Sequence, residues 1–209
     1  MVESCVSHHA YPRGALSFSA RLLVTMNTDE ETIRAHLKSR FEATLEERVQ
    51  RAIEVRPQII IPDHHFTWAS TDCVYLYRDG YFMATAMATQ ALNEGLIRFI
   101  AKRNGIAPNQ KLNQLVEQFV VKKIVTPECA EAMRRVVKSF RNDFHHLNPS
   151  ISKVPVQAIA KRNIDDIAVI EKEIFAHSTS DQPHKLKPVQ PKYWDVNADG
   201  TVHVSIRFG

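Results

Sequence analysis

Apolar residues recur at helical spacing over most of this chain, and the spacing predicts the elements. Ile33, Leu37, Phe41, Leu45, Val49 and Ile53 stand four residues apart, one stripe on a long helix predicted from 28 to about 55. Thr28 caps it, and Glu31 three residues on completes a capping box. A second helix, rich in Ala and Met, is predicted from Tyr81 to Arg103, where Asn104-Gly105 supplies a left-handed stop. A third starts after Pro108, with Leu112, Leu115, Val116, Phe119 and Val120 on one face. Thr126-Pro127 caps and opens a fourth, since proline at the first helical position gives up no hydrogen bond. There Ala130, Met133, Val137, Phe140, Phe144 and Leu147 alternate spacings of three and four, a heptad-like seam running up to Asn148-Pro149. A fifth helix follows Pro155, with Ile159, Ile167, Ile170 and Ile174 turned inward.

Alternation of period two marks the extended pieces. Val202, Val204, Ile206 and Phe208 alternate with Thr201, His203, Ser205 and Arg207, which reads as a strand; "NADG" before it is a turn and "YWDV" its expected partner. An isolated hairpin is marginal, so a further strand or a helix must support it. Leu16, Phe18, Ala20, Leu22 and Val24 alternate similarly, and "QIII" and "CVYLY" are candidates for the same small sheet or for a hairpin of their own. Residues 177–191 have the polar, proline-spaced look of a linker. The fold class is therefore mainly α: an antiparallel helical bundle over 80–177, an extension over 1–79 holding a strand, the long helix and a loop, and a linker with a C-terminal β-hairpin over 178–209.

Composition narrows the setting. With 209 residues and 44% apolar content the chain can bury a full core. Lys and Arg exceed Asp and Glu by 27 to 23, a mildly basic balance that permits nucleic acid without demanding it. Cys5, Cys73 and Cys129 are odd in number and widely spaced, which makes no zinc or disulfide pattern and fits a reducing, cytoplasmic compartment. Arg21 interrupts the segment 15–26, so neither a signal peptide nor a membrane span is expected.

The chemistry concentrates in "RNDFHHLNP" at 141–149. At the end of the fourth helix the carbonyls are unpaired and the dipole is negative, which favours Arg141, His145 and His146 there on charge alone. Five polar residues crowded beside an apolar seam ask for more than dipole compensation. Arg141 and His145, four apart, can meet; His146 stands about 140° from Arg141 on an ideal helix, so convergence of those two needs a loosened helix or a second copy of the chain.

Arg141, Asn142 and His146 form an R-N-x-x-x-H pattern that resembles the signature of HEPN domains. The resemblance covers roughly 80–177, where a succession of helices suits the HEPN bundle. It implies a metal-independent endoribonuclease that works as a homodimer, with two motifs facing each other across a cleft. Such proteins serve as toxins with antitoxin partners, or as effectors in abortive-infection and related phage-defence systems. Some relatives are non-catalytic nucleic-acid or protein binding and dimerisation modules, which is the alternative reading. No cofactor and no metal are implied.

The residue types suit RNA cleavage in their own right. RNA carries its nucleophile, the 2′-hydroxyl, beside the scissile phosphate. A protein need add only a base, an acid for the leaving 5′-oxygen and fixed positive charge for the phosphorane. Histidine fits the first two roles and guanidinium the third, so Arg141 and His146 are the expected catalytic pair. Asn142 can orient the phosphate or the arginine, and Asp143 can hold an imidazole in its reactive tautomer. His145 is either structural or a second substrate contact. Glu94, four residues before Arg98, reads as a surface ion pair or as a buttress of the site. "PDHHF" at 62–66 resembles the metal signature of DHH phosphoesterases, but those need further aspartates earlier in the chain, and only Asp29 precedes Asp63.

Overall fold

The computed structural model describes residues 30–179 and 186–207, with the side chains of all of these but Arg141, Asn142 and Thr179. Thr28, Asp29, Cys5, the segment 15–26 and the alternation from Leu16 to Val24 lie outside the described residues. The chain is mainly helical, with small antiparallel strand pairs. In order it forms α1 (Glu30–Ala43), α2 (Leu45–Glu54), β1 (Ile60–Pro62), α3 (Thr67–Arg78), α4 (Phe82–Arg103), α5 (Leu112–Val121), α6 (Pro127–Val137), α7 (Arg141–His146), α8 (Val156–Ile174), β2 (His177–Thr179), β3 (Leu186–Pro188) and β4 (Val204–Ile206). Among the described residues no helix is long and apolar enough to cross a membrane.

The helix expected from 28 to 55 is two helices. The Thr44 hydroxyl donates back to the Arg40 and Phe41 carbonyls at 3.1 and 3.3 Å, and its N–H bonds Phe41 O at 3.2 Å. A hydroxyl returning to the preceding turn competes with the helical ladder and bends or ends it. Contacts divide the chain at that place into two compact units, Met1–Thr44 and Leu45–Gly209. Within the second unit, α2 docks on α3 by its charged side. Arg48 pairs with Asp79 at 2.7 Å, Arg51 Nε donates to Arg78 O at 2.7 Å, and the Tyr77 hydroxyl donates to Glu54 at 2.8 Å. Leu45, Val49 and Ile53 consequently face outward.

α4 is the centre of the second unit and packs on α3, α5, α6 and α8. Its Leu96, Ile97, Ile100 and Ala101 meet Leu115, Val116 and Phe119 of α5, Cys129, Ala130 and Met133 of α6, and Ile167, Ile170 and Ile174 of α8. Each large side chain buried this way contributes about 1.5–3 kcal/mol. The expected boundaries hold where local chemistry sets them. Gly105 closes the turn after α4 with φ 68°, and the Thr126 hydroxyl accepts the Cys129 N–H at 3.2 Å at the start of α6.

The extended segments depart from expectation in part. "CVYLY" lies in α3, because Cys73, Val74 and Tyr77 are buried at helical spacing, a period that five apolar residues cannot distinguish from a strand in sequence. β4 pairs antiparallel with β1, Ile60 opposite Ile206 and Pro62 opposite Val204, so the "QIII" segment joins the C-terminal strand as one of the expected candidates, while the expected partner "YWDV" adds only the bridge Val196–Val202 beyond the Asn197–Gly200 turn. The stretch expected as a linker contains β2 paired with β3, while 180–185 and Phe208 lie outside the described residues. Facing is also reversed at the end of β4: Ile206 is exposed, and Arg207 just after the strand is buried against Glu171.

Candidate functional site

α6 ends at Val137, and the chain breaks at Lys138-Ser139-Phe140 before α7 begins. Four hydrogen bonds involving side chains hold Ser139, which is buried, beside the bond of its N–H to Val136 O at 3.2 Å. Gln90 Nε2 of α4 donates to its carbonyl at 2.6 Å and to its Oγ at 2.9 Å; Asn163 Nδ2 of α8 donates to the same Oγ at 3.1 Å; and Oγ itself donates to Val136 O at 2.7 Å. Asn163 is steadied in turn by Thr89 Oγ1 at 3.1 Å. A serine held from two neighbouring helices cannot continue the ladder of α6. Phe140 therefore turns left-handed, φ 54° and ψ 33°, with its N–H on Lys138 O at 2.8 Å. That conformation costs a bulky residue of order 1–3 kcal/mol, which the surrounding structure must offset.

The expected fourth helix is thus corrected to two, and R-N-x-x-x-H opens a new helix instead of closing an old one. The dipole argument changes with it: Arg141 stands in a first turn, where positive charge is not favoured, and only His145 and His146 keep last-turn positions. The seam is corrected too. Phe144 is fully buried against Ala86 of α4 and Ile159 of α8, but Phe140 is 44% and Leu147 69% exposed. Three non-helical residues shift the phase, so the spacing that joined these side chains in sequence no longer puts them on one face.

α7 is closed at its far end by a second left-handed residue, Leu147 at φ 49°. The Asn148 N–H reaches back to Asp143 O at 3.1 Å, completing a Schellman-type stop. The Asp143 carboxylate accepts from the Ser150 hydroxyl at 2.7 Å and from Asn148 Nδ2 at 3.3 Å. Those two donors hold its pKa below the usual carboxylate range, the Ser150 bond being the larger influence. Asp143 thus braces the loop after the helix, in place of the expected bond to an imidazole.

His145 and His146 are both exposed, as are Lys138 before the helix and Lys153 after it. The Arg141 and Asn142 side chains lie outside the description, so their placement is that of the backbone. His146 lies five helical steps beyond Arg141, about 7.5 Å of rise and about 140° of rotation. Glu94 pairs with Arg98 at 2.8 Å and lines a cleft with Gln110, Lys111 and Asn113. It lies two turns along α4 from Ala86, where Phe144 is seated.

His64, of the rival Asp-His-His stretch, is a packed residue. Its ring stands between Phe66 and Phe99 with centroids at 5.2 and 5.0 Å, Nε2 lies 3.1 Å from Tyr193 O, and Nδ1 lies 3.3 Å from Asp195. Arg103, at 2.7 Å, is the main influence holding the Asp195 carboxyl below its usual range. Asp63 makes backbone and side-chain bonds to the β4 strand region through His203 O and Ser205.

Sequence reasoning missed Gln90, Ser139 and Asn163, the residues that create the break. A serine inside a helical pattern was the only local sign, and single serines are common there. Comparison with protein-family models, curated proteins and solved structures finds no match.

Proposed function

We propose that this chain is a metal-independent endoribonuclease of the HEPN type, α4 to α8 forming its bundle and Arg141, Asn142 and His146 its catalytic set. The observation that carries the reading is that R-N-x-x-x-H occupies one short helix set off by left-handed Phe140 and Leu147, anchored by Phe144, with His145 and His146 exposed. A motif serving only packing has no need of its own helix or of exposed histidines.

His146 takes the proton from the ribose 2′-hydroxyl, O2′ attacks phosphorus, and the P–O5′ bond breaks as a second imidazole protonates the leaving 5′-oxygen. Arg141 grips the phosphate oxygens as negative charge builds on them, and Asn142 orients that contact. The products are a 2′,3′-cyclic phosphate and a 5′-hydroxyl. Because about 140° separates Arg141 from His146 on one helix, the site is completed by a second copy in a symmetric homodimer, where the two copies of His146 divide the base and acid roles. The setting is a cytoplasmic toxin or phage-defence effector, held in check by an antitoxin or another defence-system protein.

The deciding experiment is incubation of the purified chain with single-stranded RNA in EDTA, followed by analysis of fragment ends. Cyclic phosphate ends are expected, with turnover reduced about 10²- to 10⁴-fold or more in His146→Ala and in Arg141→Ala. Equal cutting by the double variant, or loss of cutting in EDTA, overturns the reading. RNA binding without cleavage selects the non-catalytic module.

A further inference from the structure

Phe140 and Leu147 are both left-handed, exposed apolar residues of this surface, and Phe140 is the aromatic one of the two. It is a large aromatic residue in a backbone conformation that favours glycine or asparagine, and the structure that forces it there leaves the residue 44% exposed. Packing does not explain the choice, since the neighbouring Phe144 fills the apolar seat between α4 and α8. Local conformation opposes it. Glycine would fit the backbone better and remove an exposed apolar ring, so the ring is kept for what it meets outside the chain.

Its surroundings say what that is. Lys138 lies two residues before it, and Arg141, His145 and His146 follow within six; Lys138 and both histidines are exposed. The only acidic side chain in the stretch, Asp143, is engaged by Ser150 and Asn148. An exposed aromatic ring interleaved with cations matches a phosphate-linked chain of flat bases: the rings stack while the cations meet the backbone. A second protein copy could also cover the ring, but it offers the flanking Lys138 and Arg141 no phosphate to meet, and sedimentation separates the two.

We infer that Phe140 is a stacking platform for one unpaired nucleobase of a single-stranded RNA, placed by the Gln90–Ser139–Asn163 clamp beside the motif. This deepens the ribonuclease reading and rests on it for the identity of the polymer. Stacking needs a splayed base, so the platform selects loops and single strands over duplex and sets the register in which a phosphate reaches α7. Stacking itself is sequence-tolerant, because every base has a π-face.

The test uses the full-length His146→Ala protein and a single-stranded RNA carrying 2-aminopurine at successive positions. One position should be quenched on binding. Phe140→Leu should abolish that quenching and weaken binding about tenfold, Phe140→Tyr should restore both, and the dependence of affinity on salt should stay as in the parent. Phe140→Gly, which fits the left-handed backbone, should keep or raise the thermal midpoint while binding as poorly as Phe140→Leu. Unchanged affinity and quenching in Phe140→Leu overturns the platform, as does a shift from dimer to monomer on sedimentation, which would assign the ring to the contact between copies. The two readings fail separately. Quenched binding by a wild-type chain that does not cleave sinks the ribonuclease alone, whereas cleavage with unchanged binding in Phe140→Leu sinks the platform alone.

Discussion

The Arg207 guanidinium meets the Glu171 carboxylate at 2.5 Å inside the core, with the two side chains 4% and 1% exposed. Ser70 Oγ joins them, donating to Glu171 at 2.5 Å and accepting from Arg207 Nη1 at 3.0 Å. A C-terminal strand too short to hold itself is thus tied to α3 and α8 by a buried charge.

Breaking that pair leaves one charge unmatched in the interior, so Arg207→Met and Glu171→Gln should each lower stability by about 3–5 kcal/mol in urea unfolding. The double variant Arg207→Met/Glu171→Leu should recover much of the loss, because it leaves no orphan charge. Losses in the double variant equal to the sum of the singles would refute the pairing.

Gln90 is expected to control α7 from a distance. Gln90→Leu removes the two hydrogen bonds that Gln90 Nε2 donates to Ser139, leaving the one from Asn163, and should destabilise the protein by about 1–3 kcal/mol. Amide exchange at Phe144 should rise in the variant while amides in the core of α5 stay protected, a pattern that uniform destabilisation would not give.

The two sides of α2 should respond oppositely to substitution. Val49→Ser and Ile53→Ser act on exposed side chains and should change the stability of an isolated copy by no more than about 0.5 kcal/mol. Arg51→Met removes a half-buried bond to the Arg78 carbonyl and should cost about 1–3 kcal/mol. Equal costs on both sides would mean that α2 docks by its apolar stripe after all.

Alkali should unfold the protein through its buried thiols. Desolvation pushes the Cys73 pKa up to about 12, and Cys129 is raised by the same cause. The thiol of an unfolded chain ionises near 9, so below that pH neither state carries the charge and stability is unaffected. Above it only the unfolded state loses the proton, and stability should fall by about 1.4 kcal/mol per pH unit for each thiol. Cys73→Ala should flatten this slope between pH 9 and about 12. Peptide mapping after iodoacetamide treatment at pH 8 should find Cys73 and Cys129 unmodified in the native protein and modified in urea.

The sequence by itself determined the elements whose causes are local. The 3.6-residue period of α4, α5 and α8, the Asn104-Gly105 stop and the Thr126-Pro127 start act within a turn or two of chain, and the observed boundaries follow them. It also singled out Arg141, Asn142 and His146 by residue type and spacing. Tertiary structure alone decided where that motif stands. The break before Arg141 comes from Gln90 and Asn163, 49 and 24 residues from Ser139 in sequence, and no local propensity carries a hydrogen bond across that distance. The same holds for Arg207, whose burial depends on a carboxylate 36 residues away, and for α2, whose apolar stripe turns outward because Asp79 and the Arg78 carbonyl attract its arginines. Periodicity shows which residues share a face, but only the partners brought by the fold decide which face is inside.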